Sequence, residues 1–341
     1  MNKIGRRILA LGLCLIMVLS IFSACSYGSN TPTTEPAATQ SPKEARVLKV
    51  LTLGHSLAVD CGHMLAMIAA KEGYEELKVG TLYYSGCPLN KHVEFMTKNS
   101  PEYKLYISST EDPDTPPTIM ESITMRDAIT FDYWDIIVMQ GGVFEIATDS
   151  MYKCGDIQKI QDFVNEYKRN PTAIFAWHMP WAPPTDNTLR DRYTAGSNIY
   201  YSEYAKYGDD RSTLFNAITK CVSDNILTDD TFKFMIPTGT AMENALSSYL
   251  EEVDLHRDYA HASDLGRVIA SYVWYCKLTG IDQLDQIKLD VIPRQFFKST
   301  AGTEDRVLTE SEKAIILESV NNALAQPLQM TPSQYTEAPA Q

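Results

Sequence analysis

One serine in the chain stands where chemistry could start. In "LTLGHSLAVD", residues 51–60, an apolar run reaches Gly54 and His55, and Ser56 follows where helical spacing begins. Two roles fit it. Serine is a preferred N-cap, its oxygen accepting a backbone N–H of the first helical turn. A serine raised at the carboxyl end of a strand also serves as a nucleophile, provided that a base takes its proton. That base is a histidine, best oriented by an acid. Of the six histidines, His55 adjoins Ser56 in sequence and turns its ring away, while His63 and His92 sit in helical stretches that suit solvated or core roles. His178 ends an apolar run, and His256 and His261 share "DLHRDYAHASDLG". There Asp258 precedes His261 by three residues, just ahead of a helix. At that spacing a tight loop brings the carboxylate to one imidazole nitrogen and leaves the other for Ser56. The plain alternative is that Asp258 caps a turn and His261 is merely polar.

Acyl transfer also needs donors aimed at the developing negative charge. Three are on offer: the Ser56 amide at a helix start, Gly86 in "SGCP", and the side-chain amide of Gln140 in "QGG". Glycine lets a substrate approach its N–H. Equally, Gly86 makes a turn and Gln140 pairs with backbone.

These residues follow apolar runs, and the runs alternate with helical periodicity. Strands are predicted over 47–53, 77–84, 134–140, 172–178 and 232–239. Helices are predicted over 58–73, 88–99, 154–170, 261–280 and 308–325, with 190–225 mostly helical and a hairpin within 102–122. "TESE", residues 309–312, opens the last helix as a capping box. Such alternation implies βαβ units, hence an α/β three-layer sandwich: a central parallel sheet of about five strands flanked by helices. Ligands of such sheets lie outside the carboxyl ends of the strands, where Ser56, Gly86, Gln140 and His178 fall. The aromatic residues of "AWHMPW", 176–181, suit either sugar stacking or the core.

The ends of the chain read differently. Residues 1–25 have a basic start (Lys3, Arg6, Arg7), an apolar stretch and then "FSAC". This is an export signal of lipoprotein type, with Cys25 as the lipidated residue. Residues 26–45 are a Ser/Thr/Pro-rich tether, the domain runs over 46–326, and 327–341 is expected to be a disordered tail. The net charge of −13 excludes nucleic-acid or anionic-lipid binding through a general basic field. Cys61, Cys87, Cys154, Cys221 and Cys276 are odd in number and lack metal-type spacing, so free thiols are expected, although a Cys61–Cys87 bridge is an option.

The order of these segments carries a resemblance. "LTLGHSLAVD", "YYSGCPLNKHV", "WDIIVMQGG" and "HRDYAHASDLGRVIA" together resemble the SGNH (GDSL-type) hydrolases over roughly 46–280. "WD…Q" and "IPTGTAMENA" are similar to the branch called domain of unknown function 4886. The resemblance implies a flavodoxin-like sandwich. It makes Ser56 the nucleophile, His261 the base and Asp258 its orienting acid, with Ser56, Gly86 and Gln140 as oxyanion hole. His55 stands where the superfamily has Asp or Asn, and Gln140 where much of it has Asn. The implied activity is an exported serine esterase acting on small acyl esters, acetyl above all, of small molecules or glycans. A glycan O-acetyltransferase using the same site and a non-catalytic, lipid-anchored glycan-binding protein are the alternatives. No metal or organic cofactor and no nucleic acid is implied, and membrane contact is through the lipid anchor only.

Overall fold

The structure is a computed structural model, and it describes residues 47–143, 145–185, 189, 205–296 and 304–339. The export signal, Cys25 and the tether to residue 45 lie outside the described residues, as does most of the 190–210 stretch.

In chain order the strands of the main sheet are β1 (Val47–Gly54), β2 (Glu76–Tyr83), β3 (Tyr103–Ser109), β4 (Thr118–Ile123), β5 (Ile136–Met139), β6 (Ile174–His178) and β7 (Phe232–Ile236). They form one sheet in the order β4-β3-β2-β1-β5-β6-β7. The five strands from β2 to β7 in that order are parallel, as expected, and β3–β4 is an antiparallel hairpin added at the edge. The parallel part runs second-first-third-fourth-fifth, the flavodoxin order, which reverses direction between β1 and β5. Both faces are covered, and β5 is accordingly apolar and buried at all four positions.

The helices are α1 (Ser56–Gly62), α2 (Leu65–Glu72), α3 (Leu89–Lys98), α4 (Met125–Phe131), α5 (Asp149–Lys153), α6 (Asp156–Tyr167), α7 (Arg211–Asn225), α8 (Thr238–Leu246), α9 (Glu252–Leu255), α10 (Asp264–Thr279) and α11 (Glu310–Ala325). Helices α1, α2, α8, α10 and α11 pack together on one face, and α3 to α7 on the other. The Thr309–Glu312 capping box opens α11. The single helix predicted over 58–73 is two, broken at His63–Met64. Gly62 lowers helix propensity there, and it lies close to β2, since a Cβ on it would meet Thr81 Oγ1 at 3.2 Å.

The end of the chain departs from its composition. Residues 327–339 do not hang free but strap across α8. Pro327 O accepts the Thr240 hydroxyl at 2.6 Å, Thr331 N donates to Asn244 Oδ1 at 2.7 Å, and Tyr249 N donates to Tyr335 O at 2.8 Å. Thr240 and Asn244 are fully buried polar groups on α8, and buried polar groups need partners. An extended Pro-containing strap supplies them without a core of its own, which a reading by hydrophobic content misses.

Candidate active site

Strand register builds the site before any side chain is considered. Gly54 of β1 lies opposite Tyr83 of β2, and Leu53 opposite Met139 of β5. The turns that follow, 54–56, 84–88 and 140–142, therefore emerge side by side at the carboxyl edge, at the strand-order reversal. Close contacts fix them further. A Cβ on Gly54 would fall 2.6 Å from Gln140 Nε2, and one on Gly142 would fall 2.9 Å from Pro88 Cα. Glycine is thus demanded at 54 and 142 by approach rather than by backbone angle. Gly86 differs: its φ of +59° is the left-handed region, in a turn closed by Cys87 N donating to Tyr84 O at 3.3 Å.

Ser56 is the first residue of α1 but not its cap. The cap is His55, whose Nδ1 accepts Leu57 N at 3.3 Å while Nε2–H donates to Gly141 O at 2.9 Å. Burial lowers the His55 pKa to about 4, so the ring is neutral and carries one donor and one acceptor. This accounts for histidine where related motifs have Asp or Asn: it caps the helix and also ties the β1 turn to the β5 turn. Ser56, half-buried, keeps its hydroxyl for another partner.

That partner is His261. Ser56 Oγ lies 2.8 Å from His261 Nε2, and both Asp258 carboxylate oxygens lie 2.9 Å from His261 Nδ1. Asp258 also accepts the backbone N–H groups of Ala260 and His261 at 3.0 and 2.9 Å. Burial works against its charge, but the hydrogen bonds from His261 and from these amides outweigh it and hold the carboxyl at about 2. An ionised Asp258 only accepts, so Nδ1 of His261 carries the proton and Nε2 is left to accept the Ser56 O–H.

The loop holding Asp258 and His261 is braced from three sides. It is closed by a bridge between His256 and Ala262 and by Arg257 N donating to His261 O at 3.0 Å. Trp181 Nε1 donates to Ala260 O at 2.8 Å. Asp60, one turn after Ser56 on α1, accepts Arg257 Nη1 at 3.0 Å and Ala262 N at 3.1 Å. The helix that carries the nucleophile thereby grips the loop that carries the base. Asp60 and Arg257 escaped sequence reasoning, yet a carboxylate within the apolar "SLAVDCGHMLAMIAA" was a signal, because a charge on a buried face demands a partner.

The three oxyanion candidates share one property. The N–H groups of Ser56 and Gly86 and the Nε2 of Gln140 have no acceptor among the described residues. For Gln140 this is notable because the side chain is buried and its Oε1 is bound, 2.7 Å from His178 Nδ1. His178 itself is fully buried. Trp177 and Trp181 are core residues, which decides the "AWHMPW" alternatives for the core. Cys61, Cys87, Cys154, Cys221 and Cys276 are all unpaired, so no Cys61–Cys87 bridge forms.

Comparison with known proteins agrees with this architecture. The domain of unknown function DUF4886 matches residues 49–294. The crystal structure of a DUF4886 family protein from Bacteroides uniformis superimposes with a TM-score of 0.69 at 21% identity, covering 86% of this chain and 100% of that one. A family 3 carbohydrate esterase from Clostridium thermocellum gives 0.36 at 9% identity over 69% of this chain and 99% of its own, and at that score the superposition carries no weight. No curated protein matches the sequence.

Proposed function

The chain belongs to the DUF4886 family, and on that premise we propose that it is a serine esterase with an SGNH-type site. The observation that carries the reading is the unbroken path from Ser56 Oγ through His261 Nε2 and Nδ1 to Asp258, with links of 2.8 and 2.9 Å. Ser56 Oγ attacks the ester carbonyl carbon as its proton passes to His261 Nε2. The carbonyl oxygen becomes an oxyanion, received by the N–H groups of Ser56 and Gly86 and by Gln140 Nε2. Collapse breaks the ester C–O bond, and His261 returns the proton to the leaving alcohol. Water then attacks the acyl-enzyme with His261 again as base, releasing the acid and restoring Ser56. Asp258 stays ionised throughout and holds the imidazole in the tautomer the cycle needs.

The substrate class is a small acyl ester, acetyl first, carried by a carbohydrate. It rests on the resemblance to SGNH hydrolases in sequence. "FSAC" supports export and anchoring through lipid on Cys25, with the domain facing outside the cytoplasm. The test is a fluorophosphonate probe and a panel of acetylated glycans and aryl acetates, applied to wild type and Ser56→Ala. Labelling and acetate release that vanish together in Ser56→Ala support the esterase. Probe labelling without acetate release to water, but with transfer to an added glycan, would make it a transferase. Turnover undiminished in Ser56→Ala would remove the mechanism. Metabolic lipid labelling lost in Cys25→Ala tests the anchor, and a wild-type protein that takes no label refutes it.

A further inference from the structure

Gln140 stands where related motifs use the shorter Asn, so its amide hangs on one more rotatable bond. A rotor left loose is a cost for a preorganised donor, because ordering it at the moment of reaction takes free energy from catalysis. The amide is not loose. Gln140 Oε1 lies 2.7 Å from His178 Nδ1, and His178 Nε2 lies 3.6 Å from Cys61 Sγ. All three side chains are buried, and they come from three elements: the ends of β5 and β6, and α1. The His178 ring is held between Trp181 and Trp274, at centroid distances of 6.5 and 5.0 Å.

We propose that Cys61 and His178 are positioning residues that fix the Gln140 amide with its NH2 group toward the nucleophile turn. The inference rests on the reading of Gln140 as an oxyanion donor. Two hydrogen arrangements satisfy the same heavy atoms. In one, Cys61 S–H donates to His178 Nε2, His178 Nδ1–H donates to Gln140 Oε1, and Gln140 Nε2 is left over, beside Gly54. In the other every bond reverses, and a carbonyl oxygen would face the turn, repelling an oxyanion. The sulfur decides between them. Burial raises the Cys61 pKa well above its ordinary value, so the thiol keeps its proton, and the Thr238 hydroxyl, whose oxygen accepts Trp274 Nε1–H at 3.2 Å, also faces this sulfur as a donor. With a lone pair so faced, the hydrogen of Cys61 is directed to His178. Burial lowers the His178 pKa well below the ordinary range, so the ring stays neutral and transmits the choice as one acceptor and one donor. A thiol on the nucleophile helix thereby selects the tautomer of His178, and His178 selects the face of the amide.

Two measurements test this. The first needs no substrate: ¹⁵N-histidine NMR of the wild-type protein, with the His178 signal identified by its loss in His178→Phe. Protonated Nδ1 and bare Nε2 are expected, and the opposite tautomer overturns the proposal. The second is kinetic. Cys61→Ala and His178→Phe should lower kcat roughly 10- to 100-fold with KM nearly unchanged, as for a donor displaced rather than removed. Cys61→Ser, which keeps a donor, should recover most of what Cys61→Ala loses. Adding His178→Phe to Gln140→Ala should change kcat little, because the residue it positions is gone. A full second loss in that background, or no loss from Cys61→Ala and His178→Phe alone, overturns the proposal. Ser56→Ala run alongside separates the two readings. Activity unaffected by Ser56→Ala refutes the esterase, while an inactive Ser56→Ala beside a fully active Cys61→Ala refutes only the clamp. If His178→Phe does not fold, the Cys61 pair carries the kinetic test.

Discussion

The two halves of the candidate site are built on opposite rules. In the acid–base half, Asp258 accepts from the His261 ring and from two backbone amides, and the loop around it is tied to Trp181, Arg257 and Asp60. In the oxyanion half, Ser56 N–H, Gly86 N–H and Gln140 Nε2 are left without acceptors among the described residues. Gln140 Nε2 is the buried one of the three, and an unpaired buried donor costs about 1–3 kcal/mol, so the fold holds that amide at a loss. On the proposed esterase mechanism the contrast follows from when each half is needed. His261 must be in the correct tautomer before the substrate arrives, whereas the oxyanion exists only after attack. A donor already satisfied in the resting enzyme would have to give up a bond to stabilise the transition state. One held unsatisfied gives its interaction only there, which is where binding accelerates the reaction.

The largest expected effects lie in the satisfied half. Ser56→Ala and His261→Ala should each lower kcat on the order of 10⁵- to 10⁶-fold, and the double variant should be little worse, because nucleophile and base act as one unit. Steady-state kinetics on an aryl acetate would measure this, and additive losses would break the unit apart. Asp258→Asn should cost on the order of 10³–10⁴, since its NH2 would favour the wrong imidazole tautomer. A loss under tenfold would mean that the backbone and Arg257 hold His261 without the carboxylate.

The unsatisfied half should respond less. Gln140→Ala should reduce kcat by on the order of 10²–10³, with KM nearly unchanged, the signature of an interaction made only in the transition state. A rise in KM at constant kcat would instead make Gln140 a ground-state binder, and the contrast between the halves would fail.

The residues of both halves were legible because strand ends punctuate the sequence. Ser56, Gly86 and Gln140 each follow an apolar run, and Asp258 and His261 are close enough for a local loop to join them. The parts that position them were not legible. Asp60 and Arg257 are 197 residues apart, and Cys61 and His178 are 117 apart. Only the fold apposes such pairs, and no local periodicity encodes who meets whom. What the sequence does carry is a demand without an address: Asp60 and Arg267 each interrupt an apolar helical stretch, and a buried charge must be paired. The strap over 327–339 failed for the converse reason. Its own packing residues, Leu328, Ser333 and Tyr335, are few and without periodicity, and much of the need it answers belongs to Thr240 and Asn244 on another element.

The smallest effect expected concerns stability, and it separates the halves without any substrate. Asp258 has a folded pKa of about 2, below its ordinary 3.8. Above about pH 5 the carboxylate is ionised in both folded and unfolded chains, and its contribution is present in full. As pH falls from about 4 through about 2, the unfolded chain binds the proton first, and the contribution is lost. Lowering a pKa tenfold in acidity is worth about 1.4 kcal/mol, so the gap between the two values amounts to a loss of about 2 kcal/mol. Gln140 has no charge to titrate. Removing it costs the bond to His178 but also deletes an unpaired buried donor, so the two effects offset. Urea unfolding at pH 5 and pH 2.5 should therefore show Asp258→Asn below wild type at pH 5, with the gap closing in acid. Gln140→Ala should stay near wild type at both. A gap for Gln140→Ala that closes in acid like that of Asp258→Asn would mean that the amide is part of the ionised network, and the two halves would be one.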